Sequence, residues 1–491
     1  MRRALRAARG LAGGPRTRTR KAWAVAGLIA AGWCIAAERS TYSRTARELP
    51  RVPYHLMGLA LADIDGDGFD DIIAAGGGEM TQGPLLVYFN DGHGRFGPPW
   101  ESDTKAMFGF VAVADINQDG SLDVAVTVRG RESGIQVFYN TDAGLERTAS
   151  FSTAREEFEP FQIAFGDEDG DALPDLAVGV ITVGDGIQDE PVRIYHNQGG
   201  RLEQDASWRV TTGDVRQEGR AVRFDDLNGD GWLDLGVGAW NPLVYLGDGR
   251  RIESRAPWAV DGGHVEVLFA LDAFSRGEDQ PAIAVGAHNK CHSSSPSKPT
   301  GGLTAYAVGP TMDTLWRAAH QSGCYGAVAL ADLDGTGRPD IVAGRWGNAA
   351  FDWRGRPLQI FHWTGRTFSS SPWESESVLL AQSIAFSDLD NSALRKRVER
   401  FAIKKDRGVL QLPGTTVRRI ESVTREGRRL DPREYLWVPG AHWISFAPFL
   451  RKGEAVEVRY WTSSEPDIVV SSFGVDAGYS GSVMIFDRQH R

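Results

Sequence analysis

The sequence predicts an all-β fold built from repeats, and three features carry this prediction. A nine-residue phrase rich in Asp and Gly recurs along the chain and first occupies residues 63–71. Each copy leads into an apolar, largely β-branched stretch that is typical of a strand, such as residues 72–76. An aromatic segment that ends in a turn follows, first at residues 87–92. Because helical periodicity is nearly absent, the repeating unit consists of strands and turns.

Oxygen-bearing side chains recur at positions 1, 3, 5 and 9 of the phrase, whose complete copies begin at Asp63, Asp115, Asp167, Asp226 and Asp332. Alternate residues of a tight turn point to one side, so these oxygens converge, and position 7 can add its backbone carbonyl. The Gly at position 6 in most copies permits the sharp turn. Calcium binds about six to eight oxygens at about 2.3–2.6 Å, so each phrase is predicted to be a Ca²⁺ loop between two strands.

The predicted metal ligands follow from these positions. In chain order they are Asp63, Asp65, Asp67, Phe69, Asp71, Asp115, Asn117, Asp119, Ser121, Asp123, Asp167, Asp169, Asp171, Leu173, Asp175, Asp226, Asn228, Asp230, Trp232, Asp234, Asp332, Asp334, Thr336, Arg338 and Asp340. The last loop has Thr336 at position 5 and should bind calcium more weakly. Turns without an ion are the alternative, but carboxylates at this density repel one another strongly unless they are neutralised.

Two degenerate copies of the phrase, beginning at Asp272 and Asp388, fill the gaps between the complete loops. With them, the first loop positions are 52, 52, 59, 46, 60 and 56 residues apart. A period of about 50 residues with several strands per unit is typical of a propeller blade. The sequence therefore predicts a seven-bladed β-propeller. The loops join strands 1 and 2 of each blade on one face, here called the lower face.

In these loops and in the aromatic segments after them, the chain resembles the FG-GAP (VCBS-type) repeat family. That family includes the propeller at the head of integrin α chains and many secreted bacterial proteins. The resemblance covers roughly residues 45–491 apart from one insertion. It implies a seven-bladed propeller that binds calcium, and it implies little about biological role, because one fold serves many functions.

The last repeat is interrupted by an insertion. Asp388 and Asp390 begin its loop, whereas the second half, with Asp467, follows much later. The stretch between them alternates with period two at residues 417–423 and 455–461, which is typical of strands in a small β-sandwich. A long disordered loop is the alternative, and the aromatic content disfavours it. The predicted domains are blades 1–6 with the start of blade 7 in residues 45–392, an inserted β-sandwich-like domain in residues 393–464, and the rest of blade 7 in residues 465–491.

The N-terminus has the organisation of an export signal. Residues 1–21 form a basic n-region with eight Arg or Lys residues and no acid, and residues 22–37 form an uncharged apolar run. This pattern predicts a signal peptide or a signal anchor, so a membrane tether stays open. The protein is expected to be exported: secreted, periplasmic or held at the cell surface. Without residues 1–21 the formal charge falls from −10 to −18, which disfavours nucleic acid as a partner.

Three cysteines are present, and Cys34 lies in the apolar leader. Cys291 follows strand 2 of the fifth predicted blade, and Cys324 precedes strand 1 of the sixth. Loops at these two places emerge on the same face of a propeller, so the two residues are predicted to form a disulfide in an oxidising compartment. Two free thiols are the alternative.

A candidate ligand face is predicted on the upper face, where variable loops gather around the propeller axis. It consists of Trp240, His288, Arg345 and Trp346, which follow the second strands of their blades. Such side chains can stack on a sugar ring or bind an acidic group. Aromatic residues that plug the channel are the alternative interpretation.

Catalytic motifs are not found: there is no Gly-x-Ser-x-Gly elbow, no His-Glu-x-x-His and no phosphate loop. No catalytic residue is nominated, and a non-catalytic role is favoured. The prediction is an exported recognition or adhesion module, with Ca²⁺ as its cofactor, that binds a glycan or an extracellular protein. The alternatives are a calcium-dependent carbohydrate-active enzyme, similar to the polysaccharide lyases built on propellers, and a scaffold subunit of a surface complex.

Overall fold

The computed structural model describes residues 42–78, 81–155, 158–181, 190–210, 218–253, 258–259, 268–275, 281–287, 302–319, 324–346, 355–413, 416–473 and 480–489. This part of the chain is almost entirely β-sheet, with short 3-10 helices at Gly130–Glu132 and Pro432–Glu434. Neither of the helices described is long and apolar enough to cross a membrane. The predicted leader, residues 1–37, lies outside the described residues.

The strands pair into successive four-stranded antiparallel units, numbered here in chain order. Unit 1 contains His55–Ala62, Asp71–Gly77, Gly83–Tyr88 and Trp100–Ala106. Unit 2 contains Phe108–Ala114, Asp123–Val128, Gly134–Phe138 and Phe151–Ser152, and a ribbon of Asn140–Thr141 with Gly144–Leu145 follows its third strand. Unit 3 contains Glu159–Gly166, Asp175–Ile181, Val192–Tyr195 and Trp208–Val210. Unit 4 contains Ala221–Asp225, Asp234–Gly238, Pro242–Tyr245 and Trp258–Ala259, and unit 5 contains Leu268–Ser275, Pro281–Ala287, Leu303–Ala307 and Thr314–Arg317.

Units 6 and 7 share one long strand, Trp373–Ser387, whose two halves pair with different partners. Its first half completes unit 6 after Tyr325–Ala331, Asp340–Arg345 and Arg356–Phe361. Its second half begins unit 7 and is followed by Asp467–Phe473 and Gly481–Phe486. The outermost strand of unit 7 is Arg47–Glu48, which comes from the other end of the described chain. The two ends of the chain therefore meet in one sheet.

The first strand of each unit packs against the first strand of the next, and the first strand of unit 1 also packs against that of unit 7. This arrangement is a closed ring of inner strands around a central channel, as in a β-propeller. Middle strands such as Asp71–Gly77 and Gly83–Tyr88 are buried along their whole length, because each unit is covered on both sides by its neighbours. Their sequences are accordingly continuous apolar runs. The predicted all-β propeller class is confirmed.

A smaller body, here called the insert, spans residues 394–463. One of its sheets contains Leu394–Ala402, Ala455–Ser463, Val417–Arg425 and Arg428–Arg429, and the other contains Arg407–Gln411, Trp443–Leu450 and Tyr435–Leu436. Both sheets contribute to one core, which includes Leu410, Ile444, Val458 and Tyr460. The insert is therefore a small β-sandwich, and its strands lie inside the predicted bounds of 393–464.

Candidate functional site

The aspartate at position 9 of each complete Asp-rich loop is buried at the start of the second strand of its unit. In unit 1, Asp71 accepts two backbone hydrogen bonds, from the N–H of Ile64 at 3.1 Å and from the N–H of Asn90 at 2.9 Å. In unit 2, Asp123 accepts the equivalent bonds from Ile116 and Asn140. This carboxylate therefore ties its own loop to the end of the third strand.

The aspartate at position 1 has a different environment. In units 2 and 6 both oxygens of this carboxylate accept backbone N–H groups, whereas in units 1 and 4 one oxygen does so and the other has no partner among the described residues. Asp63 Oδ2 accepts the N–H of Gly68 at 2.9 Å, and Asp226 Oδ2 accepts the N–H of Gly231 at 2.9 Å. The second oxygen of each carboxylate is buried and has no hydrogen-bond partner among the described residues. A buried carboxylate oxygen without a partner costs free energy, and a cation beside it would remove that cost.

The carboxylates of a loop also gather closely enough to share one ion. Asp63, Asp65 and Asp71 each offer an oxygen, and these atoms lie within 4.8 Å of one another. Asp167, Asp169 and Asp175 do the same in unit 3. Two oxygens bound to one Ca²⁺ at about 2.4 Å can be at most about 4.8 Å apart. The residues present therefore fit a calcium ion in both loops.

Burial raises the pKa of these loop carboxylates, and the neighbouring carboxylates add to the rise. The pKa is raised to about 7 for Asp71, Asp123, Asp167 and Asp226, and to about 8 for Asp234. The backbone N–H groups that bind Asp71 oppose the shift without cancelling it. A bound cation would favour the ionised forms of these carboxylates and lower their pKa. The raised pKa values are therefore what a cation site has before its ion is bound.

The loop of unit 6 differs in composition. Asp334, Asp340 and His362 each offer one ligand atom, and the three atoms lie within 4.8 Å of one another. Sequence reasoning missed His362. The residue ends the aromatic segment after the loop, immediately before Trp363, whose N–H binds the position-9 aspartate at 2.8 Å. Comparing the residue at that position between the repeats could have identified His362 as a candidate ligand.

The two degenerate loops also have defined roles. In unit 5, Asp272 accepts the N–H of Leu330 at 2.8 Å and lies 2.9 Å from Arg223 Nε. In unit 7, Asp467 accepts the N–H of Leu389 at 3.2 Å and that of Arg488 at 2.8 Å. These are the bonds that Asp71 accepts in unit 1. The insert therefore divides a loop whose two halves meet again in the folded protein.

The insert packs on the propeller at the lower face, at two distant places. At units 1 and 7, the buried Arg418 forms an ion pair with Asp70 and a hydrogen bond to Ser387. At unit 4, Trp443 Nε1 donates to the carbonyl of Phe224 at 3.0 Å. These contacts lie on different sides of the channel, so the insert crosses its lower mouth.

One carboxylate at unit 4 receives several contacts from the insert. Asp225 Oδ2 lies 2.9 Å from His442 Nε2, and Asp225 Oδ1 accepts a hydrogen bond from Gln411 Nε2 at 2.7 Å. Burial raises the pKa of Asp225, but His442, Arg223 and Gln411 together outweigh burial and lower it to about 2. Asp225 is therefore ionised and paired across the boundary between propeller and insert.

A cavity of about 1080 Å³ lies in the lower half of the channel beneath the insert. Its walls are the inner strands and the insert segments of residues 411–413, 416–419 and 437–443. Above it, aromatic side chains fill the channel: the rings of Phe110 and Phe161 are 4.7 Å apart, and those of Trp346 and Phe473 are 6.3 Å apart. The channel is thus filled towards the upper face and covered by the insert at the lower face.

The predicted ligand face is only partly described. Trp346 Nε1 donates to the carbonyl of Ala381 at 2.7 Å, so its polar group is bound inside the propeller. The Arg345 guanidinium lies 5.8 Å from the ring centre of Tyr325, and Trp240 is half-buried after the second strand of unit 4. His288 lies outside the described residues. For Trp346, these contacts favour the channel-filling interpretation.

Cys324 is fully buried and disulfide-bonded. Cys291, its predicted partner, lies outside the described residues, so this pairing stays a prediction.

Comparisons with known proteins bear on the repeats. The family model described as the FG-GAP-like repeat matches residues 63–126 and 115–178. The chain contains FG-GAP-like repeats. Each match begins at the first residue of an Asp-rich loop and extends past the start of the next loop, so the FG-GAP-like repeat spans from one propeller unit into the next.

Among solved structures, the chain is similar to BBS1N, crystallised in complex with ARL6DN and soaked with mercury. The two share 8% identity and a TM-score of 0.47, over 92% of this chain and 98% of that chain. It is also similar to the V. cholerae biofilm matrix protein Bap1, with 12% identity and a TM-score of 0.38, over 88% of this chain and 67% of that chain. Likenesses at these values carry no argument about function.

Proposed function

We propose that the protein is an exported, seven-bladed β-propeller that binds Ca²⁺ through its Asp-rich loops and acts as a non-catalytic recognition module. One observation carries the calcium part. Asp63 and Asp226 each hold a buried oxygen that has no hydrogen-bond partner among the described residues. An oxygen-preferring divalent cation fits that position, and its ligands would be the predicted residues of the loops in units 1 to 4 and, more weakly, unit 6.

The proposed partner is a glycan or an extracellular protein. The cavity beneath the insert supports recognition, because its volume of about 1080 Å³ is at the upper end of ordinary ligand sites, which span about 300–1000 Å³. Two charged groups of its wall, Arg223 and Asp272, pair with each other, and His442 of the wall pairs with Asp225 behind it. Paired charges favour a binding site over an acid–base catalyst. Export, and a tether to the membrane, rest on the sequence of residues 1–37.

The calcium proposal is tested by removing one ligand. We expect Asp63→Asn to bind one Ca²⁺ fewer by isothermal titration calorimetry and to lose part of the rise in Tm that calcium produces. When free Ca²⁺ is at about one hundred times the Kd of a site, its binding adds about 2.7 kcal/mol to the free energy of unfolding. Asp103→Asn is the matched control, since Asp103 is exposed and pairs with Arg147 outside any loop. Equal calcium stoichiometry in Asp63→Asn and the control would contradict the proposal.

The recognition proposal is tested by retention of the calcium-loaded protein on immobilised polysaccharides and matrix proteins, with mass spectrometry of the supernatant. Retention without new products supports a binding module. Released oligosaccharides would instead support the carbohydrate-active enzyme. If neither appears, a scaffold role with a dedicated protein partner gains support.

A further inference from the structure

The loop of unit 6 provides a nitrogen ligand where the other loops provide only oxygen. Three clusters of potential metal ligands are found among the described residues, and the cluster of Asp334, Asp340 and His362 is the one that contains a histidine. Its three ligand atoms lie within 4.8 Å of one another. Asp340 is buried, and Asp334 and His362 are half-buried, so an ion could enter from solvent.

The same loop is poorer in anionic oxygen than its relatives. Position 5 is the exposed Thr336, whereas it is Asp67 in unit 1 and Asp230 in unit 4. The turn is nevertheless preserved, because Asp332 accepts the N–H groups of Thr336 at 2.9 Å and of Gly337 at 2.8 Å. The loop thus keeps the shape of a cation site while losing one carboxylate that calcium would use.

Asp340 is held in one orientation by the backbone. Its Oδ1 accepts the N–H of Trp363 at 2.8 Å. Its Oδ2 is buried, has no hydrogen-bond partner among the described residues, and lies 3.2 Å from His362 Nδ1. Two ligands of one tetrahedral Zn²⁺ at about 2.0–2.1 Å are about 3.3 Å apart. The observed separation therefore suits a shared ion without movement of the backbone.

The histidine at the equivalent place in unit 3 provides a contrast. His196 Nε2 lies 2.8 Å from Glu168 Oε2, and His196 Nδ1 lies 2.8 Å from Ser207 Oγ. Both ring nitrogens are thus used by neighbouring side chains, and His196 is not part of the Asp167 cluster. His362 instead offers a ring nitrogen to two carboxylates of its own loop, and its Nδ1 lies 3.2 Å from Asp340 Oδ2.

We propose that the unit 6 loop binds a first-row transition-metal ion of the Zn²⁺ class, with His362 Nδ1, Asp334 and Asp340 as ligands. Imidazole nitrogen suits zinc, copper and nickel, whereas calcium takes oxygen ligands. In unit 6 this ion would take the place of the weaker Ca²⁺ proposed above, whereas the calcium sites of units 1 to 4 do not depend on it. The protein would then carry two classes of metal site on one repeated loop design.

The test is a Zn²⁺ titration of the full-length protein, followed by calorimetry, after chelation and with excess Ca²⁺ present. We expect one zinc site per chain that His362→Phe weakens by at least about tenfold, since even the loss of an outer-shell partner of a metal ligand costs about 10–100-fold. Phe is chosen because Phe89 occupies the equivalent position in unit 1. His196→Phe is the matched control and should leave the site unchanged.

Two further measurements keep the proposal falsifiable if His362→Phe folds poorly. Asp334→Asn should weaken zinc binding without removing a buried group, and Co²⁺ added to the wild-type protein should give the visible absorption of a tetrahedral nitrogen–oxygen site. Thr336→Asp should raise the affinity of the unit 6 loop for Ca²⁺, because it restores the carboxylate at position 5. Zinc binding of equal affinity in the wild type, His362→Phe and Asp334→Asn, or displacement of zinc by equimolar Ca²⁺, would overturn the assignment.

Discussion

Removing the charge of Asp225 tests how strongly the insert is held on the propeller. The substitution Asp225→Asn keeps the shape of the side chain and the acceptor for Gln411, but it removes the ion pair with His442. Despite burial, His442, Arg223 and Gln411 lower the pKa of Asp225 to about 2 in the folded protein, from its ordinary value of 3.8. This difference corresponds to about 2 kcal/mol of stability, since one pKa unit is about 1.4 kcal/mol.

The sign of the pH dependence follows from the direction of the shift. A carboxyl group whose pKa is lowered by folding stabilises the folded state above its unfolded pKa, and this contribution is lost as the pH falls from about 4 towards about 2. Asp225→Asn should therefore lower the free energy of unfolding by about 2 kcal/mol at neutral pH and by much less below about pH 2. The difference between the two proteins isolates this pair from the other carboxylates.

Urea denaturation at several pH values, followed by tryptophan fluorescence, measures this difference. Asp406→Asn is the control, because Asp406 lies on the exposed side of the insert and pairs with Arg451 in solvent. A cost of Asp225→Asn that is the same at pH 7 and below about pH 2 would refute the reasoning, since it would show that the charge of Asp225 contributes nothing to docking.

Two further predictions concern the channel. In Gly58→Ala, the new Cβ would lie 2.5 Å from the Cα of Phe110 on the next inner strand. The free energy of unfolding, measured by thermal denaturation, should therefore fall by about 1–3 kcal/mol. Gly97→Ala is the control and should have little effect, because nothing lies within 4 Å of its new Cβ. In Trp346→Phe, loss of the N–H that Ala381 accepts should cost about 1 kcal/mol in thermal unfolding without changing ligand retention. If Trp346→Phe were as stable as the wild type but no longer retained on the ligand, Trp346 would instead belong to the ligand face.

Local repetition explains what could be predicted from the sequence. The spacing from Asp63 to Asp115 and Asp167 specifies both the loop and the unit that contains it, because the turn, the carboxylates and the following strand are adjacent in the chain. Even the divided loop of unit 7 could be recognised, since Asp388 and Asp467 keep their local neighbours. The insert is predicted from the interruption of the last repeat together with period-two alternation at residues 417–423 and 455–461, where the structure has the strands Val417–Arg425 and Ala455–Ser463.

Contacts between distant segments could not be read in the same way. Arg418 meets Asp70, and Trp443 meets the carbonyl of Phe224, but nothing local to either residue indicates the partner. The sequence is consistent both with aromatic residues that fill the channel and with a ligand face, because Trp residues after the second strands suit either role. His362 was missed for the same reason: its relation to Asp340 runs through the third strand of the unit.

The insert and the channel cavity depend on each other. The inner strands alone would leave the lower mouth open, and the insert bridges that mouth because Arg418 is held at units 1 and 7 while Trp443 and His442 are held at unit 4. An element fixed at both ends can open only if one set of contacts breaks. The contacts are Asp225 with His442 and Trp443 with the Phe224 carbonyl at unit 4, and Arg418 with Asp70 at unit 1, so the insert can lift at either end only if these hydrogen bonds and ion pairs break. A ligand that enters the cavity must therefore pass around the edge of the insert, beside the loops of units 2 and 6 that also line the cavity.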